Sequence, residues 1–320
     1  MSQHEYAIHH IQSPYVQLFI ILLASFMAIL DTSVVQVAIP TMEAALSAST
    51  DQIQWVLTGY LLVIGVMIPI TGWLIDRFGA KNMFVVAVLV FTVGSALCGA
   101  AWNLPSIIVF RILQGIGAGI MTPLATAMIF MIFPPDKRGT AMGLFGIVIM
   151  AAPAFGPLLS GWLVQEASWR LIFFINVPIG IVATVLGITR LYRFPHARKA
   201  PLDVAGFVLS VTGLFALLYG FTNVSQYGWT NWRVEPFLAA GTVLLILLIG
   251  VEWRQPAPLI QLRVFKDYMF SLSQLIVSLV YAAMYMGLFL MPIFLQDTLN
   301  YTALQTGAFL TPAAIISAIS

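Results

Sequence analysis

The 320-residue sequence predicts an all-α polytopic membrane protein, and three observations carry that reading. Apolar residues make up 60% of the chain and charged residues 8%, against roughly 45–50% and about 25% in globular chains. The apolar residues come in runs near twenty, the length of a helix that crosses a bilayer. The basic residues gather in alternate loops. Continuous apolar runs exclude a β-barrel, whose spanning strands alternate in hydrophobicity.

Taken in order, the runs place spans at 16–40, 53–75, 82–101, 105–130, 138–164, 169–191, 204–223, 236–253 and 269–296, with a last one from about 304. The connections are short except 192–203 and 254–268, which hold most of the polar residues. With the N-terminus inside, the inner loops hold Arg77, Lys81, Lys137, Arg138, Arg190, Arg193, Arg198, Lys199, Arg254, Arg263 and Lys266, whereas the outer ones hold Arg170 and Arg233. That asymmetry puts the N-terminus in the cytoplasm of a cell-membrane protein. The run from Leu304 stops at Ser320 with no flanking charge, so a chain truncated at its C-terminus is expected. A lone cysteine, Cys98, leaves no disulfide. The histidines lie in tails and loops without ligand spacing, and no nucleophile–base pair or phosphate loop is present. Neither an enzyme nor a cofactor, metal or nucleic-acid partner is expected.

The chemistry centres on Leu30–Pro40. Asp31 lies well inside the first span, where a carboxylate costs about 2.5 to 3.5 kcal/mol. Such a residue needs a partner, a proton or a water-filled cavity. At about 1.5 Å of rise per residue, Asp31 lies roughly 13 Å in from Pro40, and Arg111 of the fourth span roughly 9 Å in from Pro105. An arginine side chain bridges that difference, so an ion pair is geometrically open. Burial disfavours an ionised carboxylate and a guanidinium favours it; a group between the two influences can take and release a proton. The plainer alternative is a fixed ion pair that only joins two helices.

The loop after span two reads Gly72-Trp-Leu-Ile-Asp76-Arg77-Phe-Gly79-Ala-Lys81. Gly79 permits a tight reversal, Asp76 can face the positive end of a neighbouring helix, and Arg77 and Lys81 suit inner headgroups. Together they form a candidate gate, with topogenic charge as the alternative. Gly115 and Gly119 form a small-xxx-small pair for close helix contact. In span five, Pro153, Gly156, Pro157 and Gly161 combine backbone loosening with close approach. Asp203 suits a helix N-cap, Glu252 and Asp297 suit solvated interfacial positions, and Trp162, Trp169, Trp229 and Trp232 suit interface belts.

These stretches together resemble the major facilitator superfamily, specifically its fourteen-span drug:proton antiporter family of multidrug efflux type. The match runs through Leu30–Pro40, Gly72–Lys81, Arg111–Gly119 and Ala152–Gly161. The family usually has Asn at the place of Gln36 and glycines at the places of Ala152 and Ser160. Trp169–Gly180 and Leu202–Gly206 are also similar.

The resemblance implies a fold with a cytoplasmic tail (1–15), an N-terminal six-helix half (16–192), and a cytoplasmic loop with an extra helix pair (193–262). The start of a second, incomplete half follows (263–320). It implies a proton-coupled antiporter that exports lipophilic or cationic drug-like compounds by alternating access. Asp31 and Arg111 would couple protons, residues 72–81 would gate, and Tyr60, Gln114 and Gln36 would be candidate residues of the substrate cavity. A proton driven inward by 100 mV supplies about 2.3 kcal/mol. Its partners would be a small-molecule substrate, protons and the lipid bilayer, joined by a periplasmic adaptor protein if the source is a double-membraned bacterium. The alternatives are an exporter or importer of one metabolite, a non-transporting receptor on the same fold, and an inactive fragment.

Overall fold

The computed structural model describes residues 13–194, 203–255, 258–299, 301 and 309. Among them no strand occurs. The helices are α1 Pro14–Leu46, α2 Thr50–Ile53, α3 Trp55–Phe78, α4 Ala80–Gly99, α5 Leu104–Ile132, α6 Pro135–Glu166, α7 Leu171–Phe174, α8 Asn176–Arg190, α9 Val204–Tyr227, α10 Glu235–Arg254 and α11 Tyr268–Ile293. Eight spans among the described residues are long and apolar enough to cross a membrane. The run from Leu304, apart from Phe309, and the N-terminal histidines lie outside the described residues.

Local chemistry sets the helix ends. Asn103 and Ser106 form a reciprocal capping box at the start of α5, followed at once by Pro105, which is preorganised for a first turn. Gly79 turns α3 into α4 at φ 83°, a region that side chains avoid. Two boundaries differ from the sequence reading. The first span was expected to end at Pro40, yet α1 runs on to Leu46. Proline inside a membrane helix removes one backbone bond and does not have to stop the helix. The span expected at 169–191 is interrupted between α7 and α8. Pro178 has no N–H for the Phe174 carbonyl one turn back, which breaks the ladder of hydrogen bonds there while Ile175 keeps helical angles of φ −62° and ψ −28°.

The first six membrane helices pack in reciprocal pairs. α1 packs on α6 as α5 packs on α3; α1 touches α8 as α5 touches α4; and α4 packs on α8. Exchanging α1 with α5, α3 with α6 and α4 with α8 reproduces this scheme, the pattern of two interlocked three-helix repeats. Close approach is built in: a Cβ on Gly117 would lie 2.5 Å from the Ala87 carbonyl and one on Gly119 2.7 Å from the Met67 Cβ. α9 and α10 form a hairpin that meets this bundle through α9 on α3.

The bundle interior holds two apolar clusters. One includes Ala28, Phe91, Ala118 and Ala183, the other Leu30, Cys98, Ile107 and Phe173. On α4 and α5 the chain passes from one cluster to the other across a short polar step; on α1 the polar step follows Leu30, at the start of the second cluster, and on α8 it opens the helix three residues after Phe173. Those steps hold Asp31, Ser95, Arg111, Gln114 and Asn176.

Candidate functional site

Asp31 and Arg111 form a fully buried ion pair, with Arg111 Nη1 2.5 Å from Asp31 Oδ2. They stand on α1 and α5, one of the three helix pairs that the packing scheme exchanges. The other carboxylate oxygen, Asp31 Oδ1, accepts from Gln114 Nε2 at 2.9 Å and from Asn176 Nδ2 at 2.8 Å. Three donors from two further helices therefore converge on one carboxylate. An isolated ion could not be held at this depth; converging donors are what make burial tolerable.

Arg111 is held independently of Asp31. Its Nε donates to the Val56 carbonyl at 3.0 Å and its Nη1 to Gln114 Oε1 at 2.8 Å. Its guanidinium lies over the Tyr60 ring, 3.8 Å from the centroid, in cation–π contact. Asn176 also donates to Ser95 Oγ at 3.1 Å, and Ser95 donates to the Phe173 carbonyl at 2.8 Å beside the α7–α8 junction. Two polar atoms in the cluster have no hydrogen-bond partner, Arg111 Nη2 and Asn176 Oδ1. One is a spare donor and the other a spare acceptor.

The expected cavity residues separate. Tyr60 and Gln114 are both fully buried and face the ion pair, whereas Gln36 is exposed. Asn176 and Ser95 belong to the cluster, and a reading of single charges passes over both. A lone amide directly before Val-Pro in an apolar run is the signal that could have found Asn176.

In α6, Pro157 has no N–H to offer the carbonyl of Pro153, and Ser33 Oγ of α1 donates to that carbonyl instead at 3.1 Å. Ser160 Oγ donates to the Val34 carbonyl at 2.7 Å. Gly156 lets the helices meet: a Cβ there would lie 2.6 Å from the Ser33 Cβ. The proline–small-residue stretch is thus a docking face for the helix that carries Asp31. Gly161 borders open space instead. Beside it, Phe26, Leu30, Phe155, Trp162 and Ile175 help to line an apolar groove of about 520 Å³.

The Gly72–Lys81 stretch, expected as a loop, is the last turns of α3, the single linking residue Gly79 and the start of α4, and it lies apart from the ion pair. Gly72 borders open space. Asp76 is half-buried and Arg77 exposed, and among the described residues neither forms an ion pair. Lys81 lines a separate hollow of about 500 Å³ with Asn82 and Arg193. Two other expectations change. Glu252 is 1% exposed rather than solvated, because the chain at Ile260 folds back over it. Trp169 is buried rather than interfacial, with the Arg170 guanidinium stacked on it at 4.3 Å.

Residues 21–320 match the sequence profile described as Major Facilitator Superfamily. An uncharacterized MFS-type transporter, YhcA of Bacillus subtilis (strain 168), is 38% identical over 96% of this chain and 58% of its own length. The multidrug export protein EmrB of Haemophilus influenzae is 36% identical over 92% of this chain and 58% of its own. The tetracenomycin C resistance and export protein of Streptomyces glaucescens is 34% identical, covering 93% and 56%. The chain thus spans somewhat more than half the length of these relatives. A crystal structure of the peptide transporter POT in complex with sulfate shares the fold at TM-score 0.60 and 16% identity, over 80% of this chain and 57% of that one. With a profile match across nearly its whole length, and with the paired-repeat helix packing described above, the chain belongs to the Major Facilitator Superfamily.

Proposed function

We propose that this chain is the N-terminal part of a proton-coupled antiporter that exports lipophilic or cationic drug-like compounds by alternating access. The observation that carries the reading is the buried Asp31 carboxylate, whose charge is met by one guanidinium contact and two amide contacts. Its multidrug-exporting relatives add support for the substrate class. So does the apolar groove next to Leu30.

The geometry suggests how a proton acts. Proton binding at Asp31 Oδ2 places an O–H against the Arg111 Nη1–H, two donors facing each other, so the pair separates. Arg111 stays in place through Val56, Gln114 and Tyr60. The protonated site then presents a cation without its counterion, which disfavours a cationic substrate nearby. Proton and substrate thereby exclude one another, the coupling that antiport requires. Rearrangement between α1 and α5, an exchangeable pair of the packing scheme, would transmit the change. In this reading residues 16–192 form one half, 193–262 the loop and extra pair, and 263–320 the beginning of the second half. The N-terminus is cytoplasmic and the protein sits in the cell membrane. Gly72, Asp76, Arg77, Gly79 and Lys81 form the inner gate.

The test is drug efflux from proteoliposomes carrying an internal pH dye, using the complete protein. Asp31→Asn should abolish both drug movement against its gradient and the accompanying proton flux. Undiminished coupled export by that variant would end the proton-carrier reading.

A further inference from the structure

A second pair of buried carboxyls lies far from Asp31, at one end of the α9–α10 hairpin. Asp203 Oδ1 caps α9 by accepting from the Gly206 N–H at 2.9 Å. Gln255 Nε2 approaches the same oxygen at 3.5 Å. Glu252, in the last turn of α10, accepts from the Ile260 N–H through Oε2 at 3.2 Å. Each carboxyl therefore uses one oxygen on a backbone donor. The remaining two oxygens, Asp203 Oδ2 and Glu252 Oε1, are buried and have no hydrogen-bond partner. The side chains are 8% and 1% exposed.

Both bare oxygens point at the same spot. A Cβ built on Gly206 would lie 2.5 Å from Glu252 Oε1 and 2.6 Å from Asp203 Oδ2. The glycine leaves room for the two carboxyls to approach. Two ionised carboxylates placed in this way repel each other, and each is an uncompensated buried charge.

Among the described residues nothing charged offsets them. α9 carries no acidic or basic residue, and its ionisable side chains are Tyr219 and Tyr227, both in its second half. Arg254 lies on the exposed surface of α10. Arg263 reaches the Trp253 carbonyl at 3.5 Å and Lys266 lies over the Trp253 ring at 5.4 Å. Asp267 caps the Phe270 N–H. Asp76 and Arg77, at the end of the α3 helix that packs on α9, form no ion pair with either carboxyl, and neither does any other described residue.

A divalent metal fits poorly, since hard cations take about six to eight oxygens and no group of three metal-ligating side chains occurs among the described residues. One proton fits well. An O–H on either carboxyl, donated to the bare oxygen of the other, satisfies both and removes half of the charge. We propose that Asp203 and Glu252 bind a single proton between them, as a proton site separate from Asp31. Because Glu252 also holds the Ile260 N–H, the shared proton fastens the connection into α11 to the end of the hairpin. Its loss leaves two like charges there and loosens that fastening.

The experiment uses the complete protein, purified and reconstituted, with infrared difference spectroscopy across a pH titration. Wild type should show the carbonyl stretch of a neutral carboxylic acid at pH 7, well above the range of about 3.9 to 4.3 where free side-chain carboxyls ionise. Glu252→Gln and Asp203→Asn should each remove that band, and Asp31→Asn should leave it. Gln keeps a donor aimed at Asp203, so Glu252→Gln is expected to fold.

Melting temperature gives a second readout. The folded protein retains a proton that the unfolded chain releases above about pH 4.3. Stability from this site is therefore full at low pH and falls as pH rises through the release of the shared proton. Wild type should show that one-proton slope and Glu252→Gln should lack it. Absence of the band at pH 7, or parallel melting profiles for wild type and Glu252→Gln, overturns the proposal. So does a sodium-dependent rise in melting temperature that Glu252→Gln abolishes, because a metal cation would then fill the gap.

Discussion

Replacing Asp31 by Asn has a consequence that can be worked out atom by atom. The carboxylate accepts at both oxygens, from Arg111 Nη1 on one side and from Gln114 Nε2 and Asn176 Nδ2 on the other. An amide has one oxygen and one NH₂. Turned toward Arg111, it sets its NH₂ against two other NH₂ groups. Turned the other way, it sets its NH₂ against the guanidinium. Hydrogen bonds to charged groups contribute about 1.5–3 kcal/mol each, and removing one partner of a buried ion pair costs about 3–5 kcal/mol. Asp31→Asn should therefore destabilise by about 3–5 kcal/mol, and Arg111→Gln by a similar amount. The double variant buries no net charge and should cost well under the sum, with a coupling of at least about 1.5 kcal/mol. Thermal unfolding in detergent, followed by labelling of the buried Cys98 thiol, measures all four proteins. If the two single costs simply add in the double variant, the pair is not a coupled unit, and the convergence of donors on Asp31 does not govern the site.

Other outcomes follow from the same contacts. Asn176→Ala removes a donor from Asp31 and another from Ser95, and should lower stability by about 1.5–3 kcal/mol in the same labelling assay. Gly156→Ala drives a methyl into Ser33 and should cost about 1–3 kcal/mol. Adding Ser33→Gly should recover more of that loss than adding Ser33→Ala, because the Ser33 Cβ is itself only 2.6 Å from the new methyl. A cysteine introduced at Lys137 should react with a membrane-impermeant maleimide only from the cytoplasmic side, and one at Thr230 only from outside; the reverse would invert the topology read from the loops.

How much was legible depended on whether a feature was local. The spans were readable because twenty consecutive apolar residues are a local property, and eight of them meet the length and hydropathy of a crossing helix. The α1 boundary was misread at Pro40 because a proline's effect depends on neighbours that satisfy the freed carbonyl. The Pro153 carbonyl, served by Ser33 from another helix, shows how that happens. Asp31 and Arg111 stood out because ionised groups are expensive in apolar runs, and depth arithmetic alone allowed them to meet.

Their neighbours could not be read in the same way. Tyr60 and Gln114 were polar enough to suggest a cavity lining, but periodicity does not say which neighbour a side chain faces, and both turn toward Arg111. Glu252 is the sharper case. Next to Trp253 and Arg254 at a span end, it has every local mark of a solvated charge. Its burial is imposed by residue 260 folding back and by Asp203, almost fifty residues earlier in the chain. Asp31 and Glu252 are both buried acids in this fold, yet only Asp31 lies in the middle of an apolar run. The sequence therefore reveals the acid whose cost is set by its own helix. It conceals the one whose cost is set by the packing of distant segments, and that second acid is the one left without a counterion.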